Sequence, residues 1–372
     1  MSVVRVLVFG VGCVIVLSTV LSAVLTLVVP RAIAVRITRG VFQTMRVVFN
    51  LRAGRAKTFE ERDRAMALYG PISLLSLAMT WLVLVGLGYT MMFWALGVRP
   101  PRKAFTLSGS SLFTLGFAIP KSLPPTALAF SEGAIGLGLL ALLLSYLPAL
   151  YASFSRREAA VADLDVRAGT PPTPAAMLIR VSLIEGWDQL SDSWRSWEAW
   201  FVDITETHTS VPALVFFRSP HWEQSWVTAA GAVLDAASLV ASTVDRPRSP
   251  DAELCIRAGY IALRRIADYF GIPHDPDPHW PEVPISVDRR EFDEVCKTMA
   301  DAGVPLKADL DQAWRDFAGW RVNYDRVLLV LASLTMAPYA PWSSDRSILV
   351  RRSPLMRRWG GGLSRFGGAR GG

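Results

Sequence analysis

Three long apolar runs constrain the fold of this chain more than any other feature of its sequence. Residues 7–29, 71–97 and 133–154 contain no Asp, Glu, Lys or Arg. Because an α-helix rises about 1.5 Å per residue, each run is long enough to cross a hydrocarbon layer of roughly 30 Å. The sequence therefore predicts an all-α integral membrane protein with three transmembrane helices.

The first run has an alternative interpretation as a cleaved signal peptide. Residues 32–34 read Ala-Ile-Ala and resemble the small-residue motif of a cleavage site. The apolar stretch is longer than the core of a signal peptide, however, and Pro30 and Arg31 stand directly before the motif. We therefore expect residues 7–29 to remain as a membrane helix.

The charges that flank the runs predict their orientation. Nine Lys and Arg residues lie in 31–69 and three more in 155–169, whereas five lie on the opposite side of the predicted spans. Basic loops stay in the cytosol, so we expect a multi-pass protein of the plasma (inner) membrane with its N-terminus outside. Residues 35–51 repeat Arg at helical spacing, which indicates an interfacial helix on the inner leaflet.

The second half of the chain is predicted to form a helical cytosolic domain. Apolar residues recur there at spacings of three and four, and only residues 211–217 alternate as a strand would. The segments with helical spacing are 175–208, 222–244, 249–270, 288–303 and 308–337, the last of which holds an apolar stretch, 327–337, that is too short to span a bilayer and fits a buried core helix.

The predicted organisation has five parts, and Pro-rich residues mark the end of the linker. They are an N-terminal transmembrane helix with an interfacial basic helix (1–69), a pore-like transmembrane domain (70–157), a linker (158–174), a helical cytosolic domain (175–342) and a disordered basic Gly/Arg tail (343–372).

The net charge of +7 is unevenly distributed along the chain. It is +10 over residues 1–174, −9 over 175–342 and +6 over 343–372. A positive balance beside apolar segments suits anionic lipid headgroups, and no basic run is interleaved with aromatic residues in a nucleic-acid motif. We expect the lipid bilayer as a partner and no nucleic acid.

The connection between the second and third runs, 98–132, is moderately apolar and rich in Ser, Gly and Pro. Residues 104–113 can form a short helix, and Pro120 prevents that helix from continuing through the residues that follow. Those residues are Thr114, Leu115, Gly116, Phe117 and Ala118.

The sequence Thr-Leu-Gly-Phe at 114–117 resembles the selectivity filter of potassium channels. The family meant is the bacterial branch of the pore-loop ion channels that have two helices in the pore domain. The resemblance covers residues 71–154, in which a short helix and the filter-like segment lie between two spans. It implies a re-entrant pore loop whose backbone carbonyls replace the water around K⁺ or another monovalent cation. Because the chain has one such segment, the resemblance also implies a homo-oligomer, most simply a homotetramer.

Two positions depart from the pattern of that family. Ala118 stands where the filter has its second glycine, and Ile119 stands where an acidic residue usually follows. If residue 118 must be left-handed, its β-carbon costs roughly 1–2 kcal/mol in each chain. Potassium selectivity is therefore an open question, and an ordinary external loop over 104–122 is the competing interpretation.

The third run contains residues that favour either bending or close packing. Gly133, Gly136, Gly138 and Pro148 are candidate gating hinges, because helix bends concentrate at such residues. Small residues also let helices approach closely in lipid, and the sequence does not separate these roles.

No catalytic motif is present: the chain has no nucleophile elbow, no H-E-x-x-H helix and no phosphate-binding glycine loop. The three cysteines are far apart and are expected to be reduced thiols, and the loop that holds His274, Asp275, Asp277 and His279 is expected to bind no metal. We expect no enzymatic activity and no cofactor besides the transported ion. The sequence leaves two hypotheses, an ion-channel-like protein and a nonconducting membrane scaffold whose cytosolic domain binds an unidentified protein or ligand.

Overall fold

A computed structural model describes residues 3–29, 35–56 and 58–346. Over these residues the chain is all-helical and contains no strand. The α-helices are α1 (Val3–Leu27), α2 (Arg36–Ala53), α3 (Phe59–Ala67), α4 (Tyr69–Ala95), α5 (Pro101–Leu112), α6 (Leu123–Ala168), α7 (Pro174–Leu183), α8 (Leu190–Ser210), α9 (Trp226–Ser242), α10 (Pro250–Tyr269), α11 (Arg289–Asp301), α12 (Leu310–Arg321) and α13 (Asp325–Thr335). Residues 347–372, most of the predicted tail, lie outside the described residues.

Three helical segments are long and apolar enough to cross a membrane. They are α1, the segment Phe59–Ala95 that contains α3 and α4, and α6. The prediction of an all-helical chain with three helices that could span a membrane is confirmed for the described residues. The third helix is longer than predicted, since α6 begins ten residues before Gly133. Pro124 and Pro125 lie in its first turn, where the backbone has no hydrogen bond to lose.

The structure differs from the local expectations in several places. Residues 211–217 do not form a strand, because Pro212–Phe216 winds into a short 3₁₀ helix. Residues 158–168 of the predicted linker continue α6, where Arg167 pairs with Asp163 at 2.8 Å one turn earlier. The predicted helix over 308–337 divides into α12 and α13.

The described residues form two compact units. The first unit comprises Met1–Ser153 and Ser210–Phe217, and the second comprises Phe154–Thr209 and Arg218–Gly372. The first unit therefore contains α1 to α5 and the N-terminal part of α6, and the second contains the C-terminal part of α6 and α7 to α13.

In the first unit, α1 and α4 approach each other most closely at two glycines. A β-carbon added to Gly12 would stand 2.6 Å from the carbonyl oxygen of Gly88. The indole nitrogen of Trp81 donates to the hydroxyl of Ser22 at 3.2 Å. Close backbone approach and single polar bonds are the usual contacts between helices that have apolar surroundings on every side.

The second unit is built around α9, nearly all of which is buried. Arg321 of α12 is fully buried and donates to both carboxylate oxygens of Asp235 on α9. Its other nitrogens reach Asp325 at 2.8 Å and the carbonyl of Trp342. A buried guanidinium with this many acceptors is compensated, and removal of one partner would leave an unpaired charge.

Aromatic residues and α13 fill the core of this unit. Trp194, Trp197, Trp200 and Trp226 are buried, whereas Trp222 is exposed. The apolar stretch predicted as a buried helix is α13, which is buried along most of its length. It ends at Met336, whose left-handed conformation closes the helix.

A buried histidine lies beside a buried arginine in the second unit. Nε2 of His208 is 3.2 Å from Nη1 of Arg157, and neither side chain is exposed by more than 1%. Arginine has no acceptor, so Nε2 must accept and the imidazole is neutral. Burial and the Arg157 guanidinium keep the pKa of His208 well below its usual value.

This pKa predicts that acid destabilises the second unit. The unfolded chain protonates His208 near pH 6.5 and the folded chain does not, so stability is lost as the pH falls below 6.5, by about 1.4 kcal/mol per pH unit. The melting temperature of the full chain in detergent should fall from pH 7 to pH 5, and His208→Gln should reduce the slope. The exposed His221→Gln should leave the slope as it is, and equal slopes for the two variants would contradict the assignment.

Candidate functional site

Helix α5 runs back along α4. Helix α4 ends at Ala95 and α5 begins at Pro101, and near its other end the Ser108 hydroxyl donates to the carbonyl of Gly86 on α4 at 3.0 Å. Gly86 lies nine residues before Ala95, which is about 14 Å along the helix axis. The last turn of α5 is therefore level with the middle of α4 and its apolar run.

The filter-like residues follow directly at this end of α5. Residues 113–122 are not helical, and the side chains of Leu115 and Phe117 are 62% and 64% exposed. The chain turns sharply there, because the amides of Leu115 and Ala118 donate to the carbonyl and hydroxyl of Ser110 at 2.8 and 3.1 Å. These bonds satisfy acceptors at the C-terminus of α5.

The left-handed backbone conformation in this turn does not occur at residue 118, where the family pattern has its second glycine. Thr114 has φ 53° and Gly116 has φ 72°, while Ala118 is not among the residues with positive φ. The backbone strain of roughly 1–2 kcal/mol therefore falls on Thr114, a β-branched residue. The absence of a glycine at 118 costs nothing in this conformation, and the glycine that is needed is Gly116.

Beyond the turn, the loop returns to the first turn of α5 and lines with it an open cavity of about 820 Å³. Four basic side chains line this cavity, those of Arg99, Arg102, Lys103 and Lys121, and none of its described lining residues is acidic. The Arg99 guanidinium lies 5.0 Å from the centre of the Trp94 ring, and none of the ion pairs between described residues involves the four side chains. Like charges without a counter-charge make the potential in the cavity positive, which attracts anions and repels cations.

The glycines predicted as hinges differ in their surroundings. A β-carbon on Gly136 would overlap the carbonyl oxygen of Leu112 on α5, and one on Gly133 would stand 3.4 Å from the carbonyl of Ser111. Gly138 has nothing within 4 Å. Helix α6 continues without a break through Pro148. Gly136 is thus needed for packing, and the role of Gly138 and Pro148 as hinges stays a prediction.

One residue at this site was missed from the sequence. Glu132 of α6 is fully buried, and its Oε1 atom is 2.5 Å from the hydroxyl of Ser108. Next to it, the hydroxyls of Ser131 and Tyr89 are 2.8 Å apart. The signal was present, because Glu132 is the only acidic residue in 64–157 and lies at the edge of an apolar run.

The other residues singled out from the sequence form no comparable cluster. Cys13, Cys255 and Cys296 are free thiols, and burial raises the pKa of Cys296 to about 12. In the loop of the second unit, the imidazoles of His274 and His279 lie near backbone oxygens of their own loop. Within the described part of the chain, no group of three or more His, Cys, Asp or Glu residues could hold a metal ion.

Comparison with known proteins finds nothing similar: no family model, no curated protein and no solved structure matches the chain.

The packing of α6 on α5 predicts opposite effects for two neighbouring glycines. Gly136→Ala should lower the melting temperature of the full chain, because the new methyl group overlaps the Leu112 carbonyl. Gly138→Ala places the same methyl group in open space and should raise stability slightly, by roughly 0.5–1 kcal/mol, through the better helix propensity of alanine. Thermal unfolding in detergent measures both, and a Gly136→Ala variant as stable as Gly138→Ala would contradict this packing.

Proposed function

We propose that this protein is a pore-loop ion channel of a bacterial plasma membrane that conducts a monovalent cation such as K⁺. The observation that carries the proposal is the course of the chain around α5, which runs back along α4 and is followed by Thr-Leu-Gly-Phe at the level of Gly86. A descending helix and a returning loop between two apolar helices are what a re-entrant pore segment requires.

The carbonyl oxygens of residues 114–117 would coordinate the ion. Glycine at 116 allows the sharp change of backbone direction that φ 72° represents. Non-helical backbone at membrane depth is tolerated where it lines a water-filled cavity, and a ring of such carbonyls replaces the water around a cation. The negative end of the α5 dipole would point toward the same place.

Several copies of the chain are needed to close a pore, and we propose that four copies form a homotetramer. The exposed apolar side chains of the loop support it, since Phe113, Leu115, Phe117 and Ile119 are between 55% and 83% exposed in the single chain. Neighbouring copies would cover these side chains. The N-terminus would lie outside and the second unit in the cytosol, as the excess of Lys and Arg in 31–69 and 155–169 favours.

A second function, a nonconducting scaffold whose cytosolic part binds a protein, is favoured by one observation. The cavity beside the loop has four basic side chains, and Ile119 replaces the acidic residue that follows a potassium filter. Such a potential lowers the local concentration of cations. Ion flux decides between the two functions.

Flux from liposomes tests the channel directly. The purified full chain in liposomes should release K⁺ faster than protein-free liposomes do. Gly116→Asp should reduce the flux at least about tenfold, because the side chain is strained at positive φ and brings a charge to the carbonyl ring. The oligomer size should not change. Gly40→Asp, which places the same charge at an exposed helical glycine with nothing within 4 Å, should conduct as the unmodified protein does. Absence of flux, or equal flux in both variants, would exclude the channel and leave the scaffold.

The basic cavity predicts a salt-dependent rate if it lies at the mouth of the pore. Lys103→Gln combined with Lys121→Gln should increase cation flux at about 10 mM salt, where charges act over roughly 30 Å. At about 1 M salt the screening distance is roughly 3 Å, and the difference from the unmodified protein should vanish. Flux measured at the two ionic strengths checks this, and a decrease at low salt would show that the lysines do not repel the permeating ion.

A further inference from the structure

A fully buried carboxyl group joins three helices of the first unit. Glu132 of α6 is 0% exposed, and its Oε1 atom is 2.5 Å from the Ser108 hydroxyl of α5. The same hydroxyl is 3.0 Å from the carbonyl oxygen of Gly86 on α4. The three oxygens therefore form a continuous series of polar contacts from α6 through α5 to α4.

The number of hydrogens available to these three oxygens determines the protonation state of Glu132. A serine hydroxyl carries one hydrogen, and a backbone carbonyl can only accept. When Ser108 donates to Gly86, the hydrogen between Ser108 and Glu132 must come from the carboxyl group. Glu132 is then a neutral acid that donates to Ser108, and both short distances are hydrogen bonds.

The alternative, in which Glu132 is ionised, is much less favourable. If Glu132 were ionised, Ser108 would donate to it and the contact with Gly86 would lose its hydrogen. The carboxylate would have one donor, because its Oε2 atom is buried without a hydrogen-bond partner among the described residues. A buried charge needs a partner of opposite charge or several donors, and no described salt bridge involves Glu132.

The ionisable groups of the surrounding helices do not supply that partner. On α4, the Tyr89 hydroxyl bonds to Ser131, and on α1 the Cys13 thiol lies 3.9 Å from the sulfur of Met92. On α5, Arg102 and Lys103 are exposed and lie at the opposite end of the helix from Ser108. The rest of α6 between Glu132 and Arg156 carries no charge.

We propose that Glu132 is a proton-binding site of the first unit, and that the bound proton holds α6 to α5 and α4 through Ser108 and Gly86. Glu132 is a positioning residue, since it acts on the filter-like loop through the helix that precedes it. Loss of the proton would leave an unpaired charge between α5 and α6, and the helices would have to separate to hydrate it. This inference rests on the contacts of the folded chain and holds whether or not the protein conducts ions.

Infrared spectroscopy of the full chain in detergent or nanodiscs reads the protonation state directly. A protonated carboxylic acid has a C=O band that lies apart from those of carboxylates and amides. Subtracting the spectrum of Glu132→Gln from that of the unmodified protein at neutral pH should leave this acid band. Glu158→Gln is the matched control, because Glu158 is a buried glutamate paired with Arg157 at 2.6 Å and should contribute carboxylate bands instead. Carboxylate bands in the Glu132 difference spectrum would overturn the proposal.

A second measurement tests the positioning role. Glu132→Gln keeps a neutral donor of the same length, so its melting temperature should match that of the unmodified protein. Glu132→Asp is one methylene shorter and cannot reach Ser108, so its melting temperature should fall, and Ser108→Ala should lower it as well. If Glu132→Gln melts lower than Glu132→Asp, the site holds a carboxylate and the proposal is wrong. None of these readouts depends on ion flux, so they separate a failure of this inference from a failure of the channel proposal.

Discussion

The contact of α5 with the middle of α4 is the constraint on which the rest of the first unit depends. Ala104, Leu107 and Leu112 of α5 share a buried apolar cluster with α4, and the Ser108 hydroxyl adds a polar bond to the carbonyl of Gly86. If α5 lay elsewhere, the close approach of Gly136 to Leu112 and the bond from Glu132 to Ser108 would both be lost. The apolar cluster, the polar bond and the close approach at Gly136 together determine the direction in which the chain enters residues 113–122. Apolar surface alone could not do so, since in apolar surroundings it gives helices no preferred partner.

The two units bury polar groups by different means. In the second unit, the charged Arg321 is surrounded by carboxylates and a carbonyl, and Arg157 pairs with Glu158. In the first unit, the buried carboxyl of Glu132 has only a serine hydroxyl beside it. Ion pairs compensate desolvation in the former, and a bound proton removes the charge that would have to be desolvated in the latter. A domain of net charge −9 can supply counter-charges, whereas α4 and the uncharged part of α6 offer none.

The features that were predictable from sequence are those that depend on local composition. Absence of charge over 7–29 and 71–97 predicted helices, and apolar spacing predicted the helical second half. The wrong expectations arose where tertiary contacts or turn residues determine the secondary structure. Pro212 starts a 3₁₀ helix where alternation suggested a strand, and α6 continues past Arg157 because neither Pro nor Gly interrupts it before Gly169. The pairing of Glu132 with Ser108, 24 residues apart, leaves no periodic signal, although a lone acid beside an apolar run is itself informative.

The exposure of residues 113–122 bears on whether the first unit is complete as a single chain. In hydrocarbon, irregular backbone cannot face lipid, because its unpaired amides and carbonyls would have no partner. If α4 spans the bilayer along its uncharged length, a loop level with Gly86 lies at mid-depth. Its carbonyls must then face water or protein, and its exposed Leu115 and Phe117 must be covered by other side chains. In the single chain the amides of residues 115 and 118 donate to Ser110, whereas the side chains of Leu115 and Phe117 stay 62% and 64% exposed. Further copies arranged around an aqueous axis meet both requirements at once, with the carbonyls toward the water and the apolar side chains toward the neighbours. The same requirement would not arise for a loop outside the membrane, so the depth of Gly116 decides whether this chain needs partners of its own kind.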